Sequence, residues 1–381
     1  MSWPICGRWM SNPQSSSVSG PRMVLRTLLA PAWLLPPAMA ALVAGVWAGL
    51  IRLGWAWPPL RPTLPMAHGP LMVGGFLGTV IGLERAVGTG KRWAYAAPVF
   101  TGLGTLALLV AGKSVAGPVV ITLGSVVLTA ALWSIYRLQP ALFTVTLVLG
   151  GAVWLGGNLL WLAGRAVPEI VLWWAGFLIL TIAGERLELS RLLRLSTFAR
   201  ASFAALVLLF VIGMTVSVLD LTRGTQLAGA AMLGLALWLL WYDIARRRVK
   251  AGGQARFIAL SLLSGYLWLG VAGGLALGYG GLMAGPAYDA MLHAIFLGFV
   301  FSMIFGHALI IFPALLHVDM VYRPWLYSHL LLLHVTLLLR VAGDLIPYWP
   351  ARLWGGLLNA VVLLLFVVNT IASVRRRPQQ L

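Results

Sequence analysis

The 381-residue chain is 60% hydrophobic and 9% charged, with a mean hydropathy of +0.93, which leaves too little polar surface to cover a soluble globule of that size. Its net charge of +18 does not mark a nucleic-acid binder, because the Lys and Arg fall in gaps between apolar runs instead of gathering on one face. One cysteine, Cys6, excludes an intrachain disulfide framework and a multi-cysteine metal centre.

Residues 1–22 lack apolar periodicity and carry Ser15-Ser16-Ser17, as a disordered tail does; Met23 is an alternative start. The segment after Arg22 and Arg26 resembles a signal peptide, with Ala38-Met39-Ala40 as its cleavage-like end. Its apolar run continues to Leu50, however, and so predicts a retained first span. From Val24 to Val374 apolar stretches of about 20 residues recur, each long enough to cross about 30 Å of hydrocarbon. They predict an all-α polytopic membrane protein with twelve spans near 28–50, 66–86, 93–112, 115–136, 141–163, 168–187, 199–219, 226–245, 255–279, 287–314, 324–345 and 352–374. The gaps are short, so 24–374 reads as one transmembrane domain in the lipid bilayer. Taking alternate gaps, 20 of the 27 Lys and Arg share the side of the N-terminus and seven lie opposite. The positive-inside rule then predicts a bacterial-type cytoplasmic (inner) membrane protein with both ends inside, including the basic tail 375–381.

The second, sixth and tenth spans carry related strings, GFLGTVIGLER, GFLILTIAGER and GFVFSMIFGHA, beginning at Gly75, Gly176 and Gly298. Gly/Leu/Ile-rich helices share such strings by chance, but these copies fall on every fourth span. That spacing predicts three four-helix arcs related by a pseudo-threefold axis along the membrane normal.

His68 opens the second span and His293 lies in the first turns of the tenth, at one depth below the outer surface. They precede their repeat glycines by seven and five residues, so at about 100° per residue the imidazoles point in different directions on equivalent helices. Two neutral imidazoles on facing helices can clamp a b-type haem as axial ligands; the alternative is that each is interhelical hydrogen-bonding glue. Outer-side cations would meet haem propionates. Arg340, with Asp344 on the next turn, and Arg352 are the candidates, whereas Arg52 and Arg61 read as snorkelling residues.

At the ninth position after each repeat glycine stand Glu84, Glu185 and His307. Converging, they would bind a divalent metal or copper, or relay protons; the alternative is that both glutamates mark the inner boundary and pair with Arg92 or Arg191. His334 lies near mid-membrane as an unassigned second-site candidate, and His329 and His317 read as interface and loop residues. Trp55, Trp57, Trp173 and Trp174 fit interfacial belts. Gly150, Gly151, Gly156 and Gly157 allow close helix packing, and none forms a phosphate-cradling loop.

Twelve spans, three arcs and histidines at the outer ends of the second and tenth spans together resemble subunit I of the haem–copper oxidase superfamily. The closer resemblance is to its shorter NnrS-type relatives, whose His-rich helix is similar to HAIFLGFVFSMIFGHALIIFP, from His293 to Pro313. The resemblance implies a low-spin haem on His68 and His293, and for the NnrS type an association with haem, copper and the response to nitric oxide. The oxidases' copper-binding histidines on the sixth and seventh spans have no counterpart, since no histidine lies between His68 and His293, and the Arg-Gly-His signature of the NnrS type is missing. Three functions are therefore open: a haem protein that exchanges electrons with a respiratory redox partner or binds a diatomic gas, a twelve-span proton-coupled transporter, and a structural or assembly subunit of a respiratory complex.

Overall fold

The computed structural model describes residues 31–112, 114–316 and 318–375. The tail predicted over 1–22, Cys6, Met23, His317 and the tail beyond Arg375 lie outside the described residues. Twelve helices are long and apolar enough to cross a membrane: α1 (Leu35–Leu53), α2 (Leu64–Thr89), α3 (Arg92–Ala111), α4 (Ala116–Leu138), α5 (Leu142–Leu162), α6 (Val167–Leu193), α7 (Thr197–Val216), α8 (Leu221–Tyr242), α9 (Gly253–Tyr279), α10 (Pro286–Leu316), α11 (Leu326–Leu345) and α12 (Trp349–Ala372). These match the twelve spans read from the sequence. Helix starts carry the expected signals: Ser196 accepts from Ala199 N ahead of α7, and Asp220 from Arg223 N ahead of α8.

The arcs are visible in which helices touch. Sequential helices pack together, and α2 also meets α4, as α6 meets α8 and α10 meets α12. Contact between α12 and α1 closes the ring. Within an apolar 18-residue stretch of each span, 61%, 72% and 67% is buried in α2, α6 and α10, against no more than 56% in any other span, so the repeat-bearing helices are the central ones. Outer faces, such as Leu331, Val335 and Leu338 on α11, stay apolar and exposed, as a lipid-facing surface requires.

The repeat glycines explain this arrangement. A Cβ at Gly75 would lie 2.6 Å from Thr105 on α3 and 2.9 Å from Ala41 on α1; one at Gly176 would lie 2.4 Å from Met214 on α7 and 3.0 Å from Val153 on α5; one at Gly298 would lie 2.4 Å from Trp268 on α9. Each glycine lets flanking helices close onto a central one, where packing in lipid depends on small residues. Across the centre, Phe76 of α2 stacks on Phe301 of α10 at 6.0 Å.

Among the described residues, two stretches are wound more widely than an α-helix. Leu71–Leu77 of α2 and Ala294–Phe301 of α10 are π-helical, an uncommon winding that recurs at functional sites. A two-residue antiparallel pairing joins β1 (Asp319–Met320) to β2 (Val374–Arg375) and ties the end of α12 to the connection after α10.

Candidate functional site

The two π-helical stretches begin just after the two histidines, at the ends of α2 and α10 that share one face of the bundle. This is the His68 face of the bundle. Between these helices His68 and His293 meet, with ring centroids 6.3 Å apart and planes inclined by 20°. His68 Nδ1 lies 2.7 Å from the carbonyl oxygen of Gly45 on α1. His293 Nδ1 lies 2.8 Å from the carbonyl oxygen of Asp289, one turn earlier on α10, and 3.3 Å from its carboxylate. A carbonyl only accepts, so each ring donates from Nδ1, and in the neutral form of either ring the lone pair is on Nε2. Metal-bound histidines are held in this way, by a second hydrogen bond that fixes tautomer and ring orientation. Gly49 makes room for one of them: a Cβ there would sit 2.8 Å from His68 Cε1 and 2.9 Å from Nδ1.

Asp289 extends the site toward the cations chosen from the sequence. Arg340 Nη2 donates to its Oδ2 at 2.7 Å, and Arg352 Nη2 stands 3.9 Å from the same oxygen while its Nε is 2.8 Å from Asp344 Oδ1. Arg340 and Arg352 thus gather beside His293, but each already faces a protein carboxylate. Asp344 partners Arg352 instead of Arg340. The α11–α12 hairpin brings them together through glycine, since a Cβ at Gly355 would lie 2.6 Å from Arg340 N and one at Gly343 would lie 2.5 Å from Arg352 N. Over the same face Trp47, Trp55, Trp57 and Trp354 form a cluster with neighbouring ring centroids 4.7–6.2 Å apart. Arg61 donates to the Val110 carbonyl, so it ties a connecting segment to α3.

The expected ring of Glu84, Glu185 and His307 does not form a metal site. Among the described residues no group of three His, Cys, Asp or Glu side chains is placed to hold an ion. The physical reason is Arg85, which pairs with Glu185 across the α2–α6 contact and lies 3.8 Å from Glu84. Neither the Arg92 nor the Arg191 pairing occurs; Arg191 stands 3.7 Å from Glu188. Arg186, the repeat equivalent of Arg85, turns instead to Asp243 at the end of α8 and grips it at two points, 2.8 and 2.9 Å. His307 Nδ1 donates to the Met303 carbonyl at 2.8 Å.

The remaining described histidines, His334 and His329, have partners on other helices. His334 Nδ1 accepts from Trp268 Nε1 at 3.0 Å. His329 was expected at an interface, yet it is 1% exposed, enclosed by Phe305, Phe366 and Phe257 at 4.7, 5.4 and 6.1 Å, with Nδ1 3.0 Å from Asn369 Nδ2. Its neighbours come from α9, α10 and α12, which no local pattern reveals. Asp289 is not among the residues singled out from the sequence, although its place four residues before His293 makes it that histidine's neighbour on the helix.

The residues around His68 and His293 fit a bis-histidine haem. An iron shared by the two imidazoles at about 2 Å from each, with each ring centre about 1 Å further out, would call for ring centres about 6 Å apart, and the rings stand 6.3 Å apart. Both Nδ1 positions are taken by carbonyls and both Nε2 lone pairs remain for iron. Fold and site together define a polytopic helical membrane protein of three four-helix arcs with a histidine pair between two of its central helices. A family model described as a domain of unknown function, DUF8744, matches residues 31–375, and the chain belongs to that family. No curated protein matches it.

Proposed function

We propose that this chain is an integral membrane haem protein that exchanges electrons, holding one b-type haem between His68 and His293. The observation that carries the reading is the pair itself: two imidazoles from different central helices, 6.3 Å apart, each with Nδ1 anchored on a backbone carbonyl. Bound there, a haem supplies a one-electron couple.

The chain's own residues do the rest. Gly45 and Asp289 hold the rings' orientation, and Gly49 keeps α1 clear of His68. Arg340 and Arg352 would face the propionates while Asp289 and Asp344 keep their guanidiniums in place. A haem held by both His68 and His293 would leave no open position for nitric oxide or another diatomic gas, which favours electron exchange with a respiratory partner. The excess of basic residues on the face opposite His68 supports a cytoplasmic-membrane location with both termini inside and the histidine pair near the outer surface.

The test is a reduced-minus-oxidised visible spectrum and a pyridine haemochrome assay on detergent-purified protein. A b-type signal near one haem per chain is expected. Its absence after expression with ample haem supply overturns the reading.

A further inference from the structure

On the face opposite His68, a cavity of about 730 Å³ opens between the α6–α7 and α8–α9 connections. Four cations line it: Arg194, Arg246, Arg247 and Lys250. Asp243 is the only acidic residue among the described lining, and its carboxylate is engaged by the buried Arg186. The cavity therefore presents positive charge that no lining carboxylate neutralises. Asp243 also builds the site, because its Oδ1 accepts from Ala245 N at 2.6 Å and so starts the short turn Ala245–Arg248 that presents the basic residues. Ser196, the residue that caps α7, lies on the opposite wall.

Position and size identify the ligand class. The lining joins the ends of α6 and α8 to the start of α7, where the membrane-spanning helices end. Trp241, also in the lining, is 66% exposed with the Arg246 guanidinium 4.7 Å over its ring, an arrangement suited to the membrane–water boundary. A volume of about 730 Å³ lies within the range of whole-ligand sites, roughly 300–1,000 Å³, and far exceeds one phosphate. Basic pockets between membrane helices take lipid headgroups. We propose that this cavity binds an anionic phospholipid whose headgroup carries two phosphodiesters, each matched by two of the four cations.

The full chain in zwitterionic detergent is titrated with diphosphatidylglycerol, phosphatidylglycerol, phosphatidylcholine or inorganic pyrophosphate, and binding is read by native mass spectrometry and thermal unfolding. Diphosphatidylglycerol is expected to bind most tightly and to raise the unfolding temperature, with pyrophosphate unable to replace it. Each cation near an anionic headgroup is worth roughly fivefold in affinity, so R246Q/R247Q/K250Q is expected to weaken binding on the order of a hundredfold. R223Q, on the His68 face, is expected to leave it unchanged. Equal binding by the triple variant overturns the proposal, and pyrophosphate binding as tight as lipid overturns the lipid assignment in favour of a soluble polyanion. If the triple variant does not fold, R247Q is compared with R247K: loss in the first and retention in the second supports the site, and no loss in R247Q overturns it.

Discussion

Arg186 and Asp243 form a two-point ion pair whose side chains are 3% and 0% exposed. Breaking such a pair leaves one buried charge uncompensated, at a cost of about 3–5 kcal/mol. Asp243→Asn, which keeps the acceptor for Ala245 N, is expected to lower the thermal unfolding temperature sharply. Adding Arg186→Met removes the stranded charge and is expected to recover most of the loss. A double variant no more stable than the single one would count against the pair as the cause.

His68→Ala and His293→Ala are each expected to abolish the low-spin haem spectrum. His329→Ala, which changes a phenylalanine-lined pocket elsewhere, is expected to leave it intact. Unchanged spectra in both of the first two variants would sink the bis-histidine assignment.

Gly49 offers a finer test, because the methyl of Gly49→Ala would stand 2.8 Å from the His68 ring. The ring must move off the Gly45 carbonyl, so haem content is expected to fall while the protein still folds. Gly88→Ala meets nothing within 4 Å; it is expected to keep full haem content and to gain up to about 1 kcal/mol from helix propensity.

A Cβ at Gly355 would press on backbone atoms of Arg340 at 2.6 and 2.7 Å. Overpacking of that kind costs about 1–3 kcal/mol. Gly355→Ala is expected to lower the unfolding temperature and, by displacing Arg340 from Asp289, to weaken haem retention during size-exclusion chromatography. Retention equal to wild type would remove Arg340 from the haem site.

Trp268→Phe deletes the donor to His334 Nδ1, and an unpaired buried acceptor costs about 1–3 kcal/mol. Lower thermal stability with an unaltered haem spectrum is expected. A changed spectrum would give His334 a place in the cofactor site.

Much of this architecture was legible along the chain because lipid enforces it. Span length is fixed by bilayer thickness, so α10 is expected at 287–314 and runs from Pro286 to Leu316. The repeat glycines located the central helices, since close approach in lipid requires small residues at fixed positions. Side-chain partners were less legible. Glu84 and Glu185 read as boundary markers with Arg92 or Arg191 as partners, yet Arg85 pairs with Glu185, a contact between helices 100 residues apart that exists only once the arcs close. Arg340 and Asp344 look like partners by helical spacing, but Asp289 and Arg352 compete for them from α10 and α12.

The π-helical turns set how the helices of the two histidines can change. Each wide turn holds one residue more than an α-turn, and Leu71–Leu77 and Ala294–Phe301 enclose the repeat glycines Gly75 and Gly298, just beyond the histidines. Losing one residue from either stretch would let that helix relax to regular winding with the segments on both sides kept in register. Single-residue deletions, elsewhere disruptive in a packed bundle, would here be absorbed by the turn, so these are the two places where the central helices tolerate a change of length while His68 and His293 still face each other.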